Sequence, residues 1–165
     1  MNCMNCGSKM KKRKETLFHY TDCGLSKIYL KGIEVSECTN TECGEEEIIL
    51  TNLQQLHNIL AMSVASQKNK LLPEEIRFLR TCLGFSSVDF AEHVGVTPET
   101  VSRWESGSVN MKETTEKLLR VLILSKTGPF QNYDDLKEFA KINRKTALKR
   151  TFKASKSHWI EDKAA

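Results

Sequence analysis

Four cysteines near the amino terminus are the residues best suited to chemistry in this 165-residue chain. They fall in two short loops, Cys3-x2-Cys6-Gly7 and Cys38-x4-Cys43-Gly44. Each loop can present two thiolates to one ion, and the glycine that follows lets the turn close. Four soft ligands suit tetrahedral Zn2+ and leave no open coordination position, so the expected ion is structural rather than catalytic. Unpaired thiols and disulfides are the alternatives, and the paired spacing favours a metal. Cys23, with His19 nearby, is an alternative ligand, though a lone cysteine at a turn is more often just a small residue. Cys82 reads as core filler.

A second stretch, Ser86 to Gly107, has the ordered features of two short helices joined by a tight turn. Ser86 caps the first, whose apolar face is Phe90, Ala91 and Val94, and Gly95 ends it. Thr97 caps the second with Pro98 at its first position, Val101 and Trp104 face inward, and Gly107 stops it. Thr97, Glu99, Thr100, Ser102 and Arg103 are left outward, where the second helix of a helix-turn-helix meets the DNA major groove. The pattern closely resembles the Xre/repressor type of helix-turn-helix. Ser86, Ser87 and Ser102 offer short donors for phosphate oxygens. Arg103 suits guanine or a phosphate; Glu99 and Thr100 are the other base-edge candidates, Glu99 being equally well read as a solvated first-turn carboxylate. A monomer of this kind makes few base contacts, so a homodimer on a palindromic operator of double-stranded DNA is expected.

The elements that must position these residues are legible in outline. Glu15–Tyr20 and Lys27–Glu37 read as strands around a turn at residues 21–24, with Glu46–Leu50 as a third. So small a sheet has little core, and a metal would supply folding free energy. Thr51 or Asn52 caps a helix carrying Leu53, Leu56, Ile59 and Leu60 on one face. The polar run near 65–71 reads as a hinge. Pro73-Glu74-Glu75 opens the first helix of the second domain, with Ile76, Leu79 and Leu83 inward. Thr114–Leu124 is a helix whose Leu118, Val121, Leu122 and Leu124 exceed what one small core needs, a surplus suited to a dimer seam. After residue 127 a tail begins that can form a helix from Asn132 through Ile142, and its charges are all basic from Lys141 to Ile160. It reads as a phosphate-tracking arm or a solvated tail, with Trp159 able to dock on the body or a partner.

The expected fold class is therefore α+β. A zinc-bound β-ribbon domain with its trailing helix occupies 1–65, an all-α helix-turn-helix domain 72–126, and a basic extension 127–165. The net charge of +4 and pI near 8.7 suit a nucleic-acid partner. No run approaches the length of a membrane span, and the first residues lack the apolar core of a signal peptide, so a reducing, cytoplasmic setting is expected. Scattered histidines and the lack of a nucleophile–base pair or phosphate loop argue against an enzyme.

Ribbon and helix-turn-helix in this order resemble the MqsA (YgiT-type) antitoxin family over residues 1–125. The likeness is carried by the Cys3/Cys6 knuckle, Leu30-Lys31-Gly32-Ile33, Ile76-Arg77, Ser102-Arg103-Trp104-Glu105 and Lys117-Leu118-Leu119-Arg120-Val121-Leu122. The resemblance implies a zinc domain that binds and neutralises a ribonuclease toxin protein, and a second domain that dimerises and represses the operon of the pair. The repressor-type fold further implies an Arg80–Glu105 ion pair tying the first helix of the domain to the recognition helix. The chain departs from the pattern in its Cys-x4-Cys knuckle, in Ser87 where glutamine is frequent, in Glu99 where the family reads DNA with asparagine, and in its tail. A phage or mobile-element regulator of the same architecture, without a toxin, is the alternative.

Overall fold

The computed structural model describes residues 2–127, 137, 139, 143–155 and 158–163. Among them are seven strands and five helices, an α+β chain that divides into two compact units. The first unit comprises Met1–Tyr20, Lys27–Gln55 and Lys149–Ala165; the second comprises Thr21–Ser26 and Leu56–Leu148. The division falls inside the first helix, places Thr21–Ser26 with the helices, and places the end of the tail with the cysteine-bearing unit.

The first unit holds two sheets. Strands β1 (Met10–Glu15), β4 (Ile33–Cys38) and β5 (Glu46–Ile48) form an antiparallel sheet in the order β1-β4-β5. Strands β2 (Phe18–His19), β3 (Ile28–Lys31), β6 (Arg150–Ser155) and β7 (His158–Glu161) form the other, in that order. The expected strand over Lys27–Glu37 is thus two strands in two sheets. Gly32, at φ +73°, makes the break, a backbone conformation that costs glycine little and other residues more. Of the strand expected at Glu15–Tyr20 only the two-residue β2, Phe18–His19, is present, and a longer strand, β1, precedes it at Met10–Glu15. That charged run pairs with β4 from Met10 opposite Cys38 to Glu15 opposite Ile33. Two of its cations are matched across the sheet, Lys12 to Glu34 at 3.3 Å and Arg13 to Glu46 at 2.8 Å. Charge on an edge strand is a common guard against unwanted pairing.

The tail supplies β6 and β7. β6 runs parallel to β3, with Leu30 beside Phe152, and β7 folds back on it with Trp159 opposite Ala154. Ile28, Leu30, Phe152 and Trp159 are buried. The Trp159 indole N–H donates to the Thr51 carbonyl at 2.8 Å, and its backbone N–H donates to Gln55 Oε1 at 2.6 Å. An amphipathic ring buried with its one donor satisfied is a strong anchor. The helix expected from Asn132 through Ile142 lies outside the described residues, Lys137 and Phe139 excepted.

Helices α1 (Leu53–Ala65), α2 (Pro73–Leu83), α3 (Ser87–Val94), α4 (Pro98–Ser106) and α5 (Glu113–Thr127) follow in order. In the second unit, α2 packs on both α4 and α5, and α3 on α4. Leu56, Leu60, Ile76, Phe78, Leu79, Phe90, Val101, Trp104, Leu119 and Ile123 form its core.

Inside that core sits a charge network. Arg120, fully buried, donates to Glu116 Oε1 at 2.7 Å and to the carbonyls of Ala65, Gln67 and Asn69 at 2.8, 2.6 and 2.5 Å. Glu116 also accepts from the Leu71 N–H at 3.0 Å, while buried Glu75 accepts from the Leu72 N–H at 2.9 Å and pairs with Arg144. Residues 65–71, expected as a hinge, are therefore pinned by their own backbone polar groups. Burying Arg120 without these acceptors would cost several kcal/mol, on the order of the penalty for an unpaired interior charge.

Candidate metal centre and helical surface

The first knuckle closes through the Gly7 N–H donating to the Cys3 carbonyl at 2.9 Å and the Cys3 N–H donating to the Ser8 carbonyl at 2.8 Å. The second uses two more residues and closes on Asn40, whose carbonyl accepts from the Cys43 N–H at 3.0 Å and from the Gly44 N–H at 3.3 Å. The Asn40 side chain accepts from the Glu42 N–H at 3.1 Å, which shapes the longer loop. β1 and β4 bring the two loops together, since Met10 opposes Cys38 at the end of the ladder. The Thr39 N–H donates to the Lys9 carbonyl at 3.0 Å just beyond it.

The sulfurs of Cys3, Cys6, Cys38 and Cys43 all lie within 4.8 Å of one another. Cys6 and Cys38 are 3.4 Å apart and Cys3 and Cys43 3.8 Å. A zinc tetrahedron with Zn–S bonds of ~2.3 Å has sulfur–sulfur edges of about 3.8 Å. The donor set and spacing therefore fit a zinc-sized soft ion without rearrangement of the backbone.

Electrostatics divide the thiols. Hydrogen bonds from the Ser8 side chain and backbone, with a further one from Cys38, bring Cys6 down to about 6. Cys38 is pushed up to about 12 because burial and the neighbouring thiols outweigh a stabilising backbone N–H from Asn40. Cys43 is raised as well, by Cys6 and by burial, against the N–H of Glu45. One thiolate thus forms readily while Cys38 and Cys43 hold their protons, the pattern expected where like groups share a site suited to a cation. Asn5 Nδ2 approaches Cys43 Sγ at 3.5 Å as an outer donor.

Cys23 is not in this cluster. It lies in the Thr21–Ser26 segment that groups with the helices, and burial raises its thiol. Cys82 is half-buried and pushed up to about 11 by burial, an inert environment.

The second set of residues lies on α3 and α4. Ser86 caps α3 by accepting from the Asp89 N–H at 3.1 Å while Asp89 accepts from the Ser86 N–H at 3.0 Å. Gly95, at φ +70°, turns the chain towards α4. Thr97 caps α4 by accepting from the Thr100 N–H at 3.3 Å, and the two hydroxyls meet at 3.2 Å. Thr97, Glu99, Ser102 and Arg103 are exposed, Ser86 likewise, and Ser87 and Thr100 are half-buried. The Glu99 carboxyl is held below its usual range by its own backbone N–H and the Thr97 hydroxyl, with Arg103 adding a weaker attraction. A carboxylate is favoured at this place, in the first turn of its helix.

Arg80 and Glu105 do meet. Arg80 Nε donates to Glu105 Oε1 at 2.5 Å and its Nη2 to Oε2 at 3.1 Å, while Nη1 caps the Phe85 carbonyl at 2.6 Å. Arg77, which no spacing rule singled out for this role, adds a third bond to Glu105 at 3.1 Å. α2 and α4 are therefore locked in register by one carboxylate between two guanidinium groups. The buried Glu75, Glu116 and Arg120, with half-buried Arg144, also escaped sequence reasoning, and the Glu116/Arg120 spacing of one helical turn was the available signal.

The fold and the cluster define an α+β protein with a four-cysteine site fit for a metal ion, and among the described residues no helix is long and apolar enough to cross a membrane. No protein-family model matches the chain, and no curated protein matches it.

Proposed function

We propose that the chain is a sequence-specific DNA-binding repressor with a structural zinc ion, acting as the antitoxin that neutralises a ribonuclease toxin and autoregulates the operon of the pair. The observation that carries the DNA-binding part is the division of α4. Val101 and Trp104 are buried, while Thr97, Glu99, Ser102 and Arg103 stand exposed along the other side of the same two turns. A short helix so divided, capped at its start and braced at Glu105, is what a major groove accepts. The Cys3, Cys6, Cys38 and Cys43 cluster supports the zinc. Leu118 is 43% exposed on α5, with Val121 and Leu122 half-buried, which supports a homodimer seam there and hence a palindromic site. The antitoxin role rests on the resemblance of residues 1–125 alone, and the reducing cytoplasm is the compartment in which such thiolates hold zinc.

Selection of bound duplexes from a random DNA pool, followed by titration of the winner, tests the first part. Arg103→Ala should weaken the selected site by roughly 1–3 kcal/mol, and unchanged affinity would remove Arg103 from the reading set. Capture on the tagged chain at low salt tests the second. A small stoichiometric protein that leaves when residues 1–55 are deleted supports an antitoxin; DNA alone leaves a zinc-stiffened repressor.

A further inference from the structure

We propose that the outer face of the sheet β2-β3-β6-β7 binds single-stranded RNA, with Tyr29 as the stacking platform and Lys149 and Lys153 as phosphate ligands. The two faces of this sheet differ in kind. Ile28, Leu30, Phe152 and Trp159 fill the buried side. The alternate positions, set by Tyr29 beside Thr151, Lys31 beside Lys153, and Lys153 beside Ile160, make the other. On it Thr151 is buried, Tyr29 and Lys31 are half-buried, and Lys153, His158 and Ile160 are exposed.

Tyr29 lies on a central strand, as a platform should. His19, its partner across β2, stacks on it with ring centres 4.9 Å apart and planes within 20°. Lys149 Nζ lies over the Tyr29 ring, 5.2 Å from its centre, a cation–π contact that an incoming base would have to displace. Unpaired bases stack on such rings whatever their identity, and phosphates follow the neighbouring lysines. A duplex has no free base face to offer, so the platform selects single strands.

Charge and hydrogen bonding point to RNA. Among the described residues this face carries Lys31, Lys149 and Lys153 against Asp162, which binds Lys31 Nζ at 2.7 Å. A surface carboxylate repels phosphate, but it accepts a hydrogen bond from a 2′-hydroxyl, the group that DNA lacks. The sheet belongs to the first unit and α4 to the second, so the proposal adds a second nucleic-acid surface to the chain.

Fluorescence anisotropy of the zinc-loaded full chain with a labelled mixed-sequence 12-nucleotide RNA at low salt tests this. Wild type should bind within the range of ~1–100 µM usual for sequence-independent contacts. Lys149→Ala/Lys153→Ala should weaken binding at least about tenfold and flatten its salt dependence. Tyr29→Leu should weaken it at least about fivefold, the lower end for loss of one base stack. Arg103→Ala and Lys112→Ala, both on the helical unit, should leave it unchanged, and DNA of the same sequence should bind more weakly. Should Tyr29→Leu lower the melting temperature, the lysine pair carries the test. Absence of RNA binding, an unaffected lysine pair, an Arg103→Ala loss as large as theirs, or equal binding of DNA would each overturn the proposal.

Discussion

Glu105 carries more of the helical unit than its single charge suggests. Its side chain is 4% exposed, and burial alone would raise its carboxyl, but the hydrogen bonds and charges of Arg80 and Arg77 outweigh that and hold it below the ordinary value of 4.5. A carboxyl whose pKa is lower in the folded state contributes stability that is present above its unfolded value and is lost as pH falls through the folded one. Thermal melts followed by helical ellipticity should therefore show stability declining from about pH 5 downward, with a shallower decline in Glu105→Gln. An equal slope in both proteins would assign the acid loss elsewhere, to the Asp89 cap for instance, whose carboxyl Ser86 holds low. Glu105→Ala is harsher. It leaves Arg80, 8% exposed, without its anion, and should cost about 3–5 kcal/mol near neutral pH. A loss under about 1 kcal/mol would mean that water reaches the guanidinium freely.

Among the elements, the hairpin of β6 and β7 is the part of the first unit that no local signal announced. Thr151 to Ser155 does alternate polar and apolar residues, but the β3 partner lies more than a hundred residues earlier, as Ile28 opposite Arg150 shows. Parallel pairing at such separation leaves no turn signature, and strand preference depends on the packing surface a strand finds. The cysteine loops and the caps of α3 and α4 were legible because their causes lie within a few residues: Cys3 and Cys6, Ser86 and Asp89, Thr97 and Thr100. Arg120 was hidden for the opposite reason. Its acceptors at Ala65, Gln67 and Asn69 belong to a polar loop that resembles a linker in composition. The hairpin can be tested by removal. A chain ending at Leu148 uncovers Leu30, 0% exposed in the intact protein, and frees an edge of β3. Hydrogen exchange at Ile28–Lys31 should rise to the rate of unprotected amides, and the shortened chain should aggregate. Trp159→Ala, which empties the same core while keeping the strands, should cost about 3–5 kcal/mol. Full protection of β3 in the shortened chain would show that the hairpin is an ornament on a sheet already complete.

For the molecule as a whole, a metal held by the four cysteines and the packing of the helices would stabilise different parts of the chain. The second unit buries an apolar core around its Arg120–Glu116 network, and Cys3, Cys6, Cys38 and Cys43 all lie outside it. The first divides its residues between two small sheets of three and four strands, and its cysteine cluster ties the segment before β1 to the end of β4. Small sheets with little core depend on such ties, and binding free energy at the metal becomes folding free energy. Each unit has one of the chain's two tryptophans, Trp104 in the helical unit and Trp159 in the other, so the two can be watched separately. In a Trp104→Phe background, chelation at neutral pH should shift Trp159 emission to the red as its pocket opens, while ellipticity at 222 nm keeps most of its value. Acid should do the same without a chelator, because the metal must compete with protons at thiols that include Cys38, held up to about 12. Both transitions should reverse when zinc and neutral pH are restored. If chelation removes the metal and Trp159 stays buried, then Thr51, Gln55 and the β3–β6 ladder hold the second sheet by themselves, and the ion governs only the strands β1, β4 and β5.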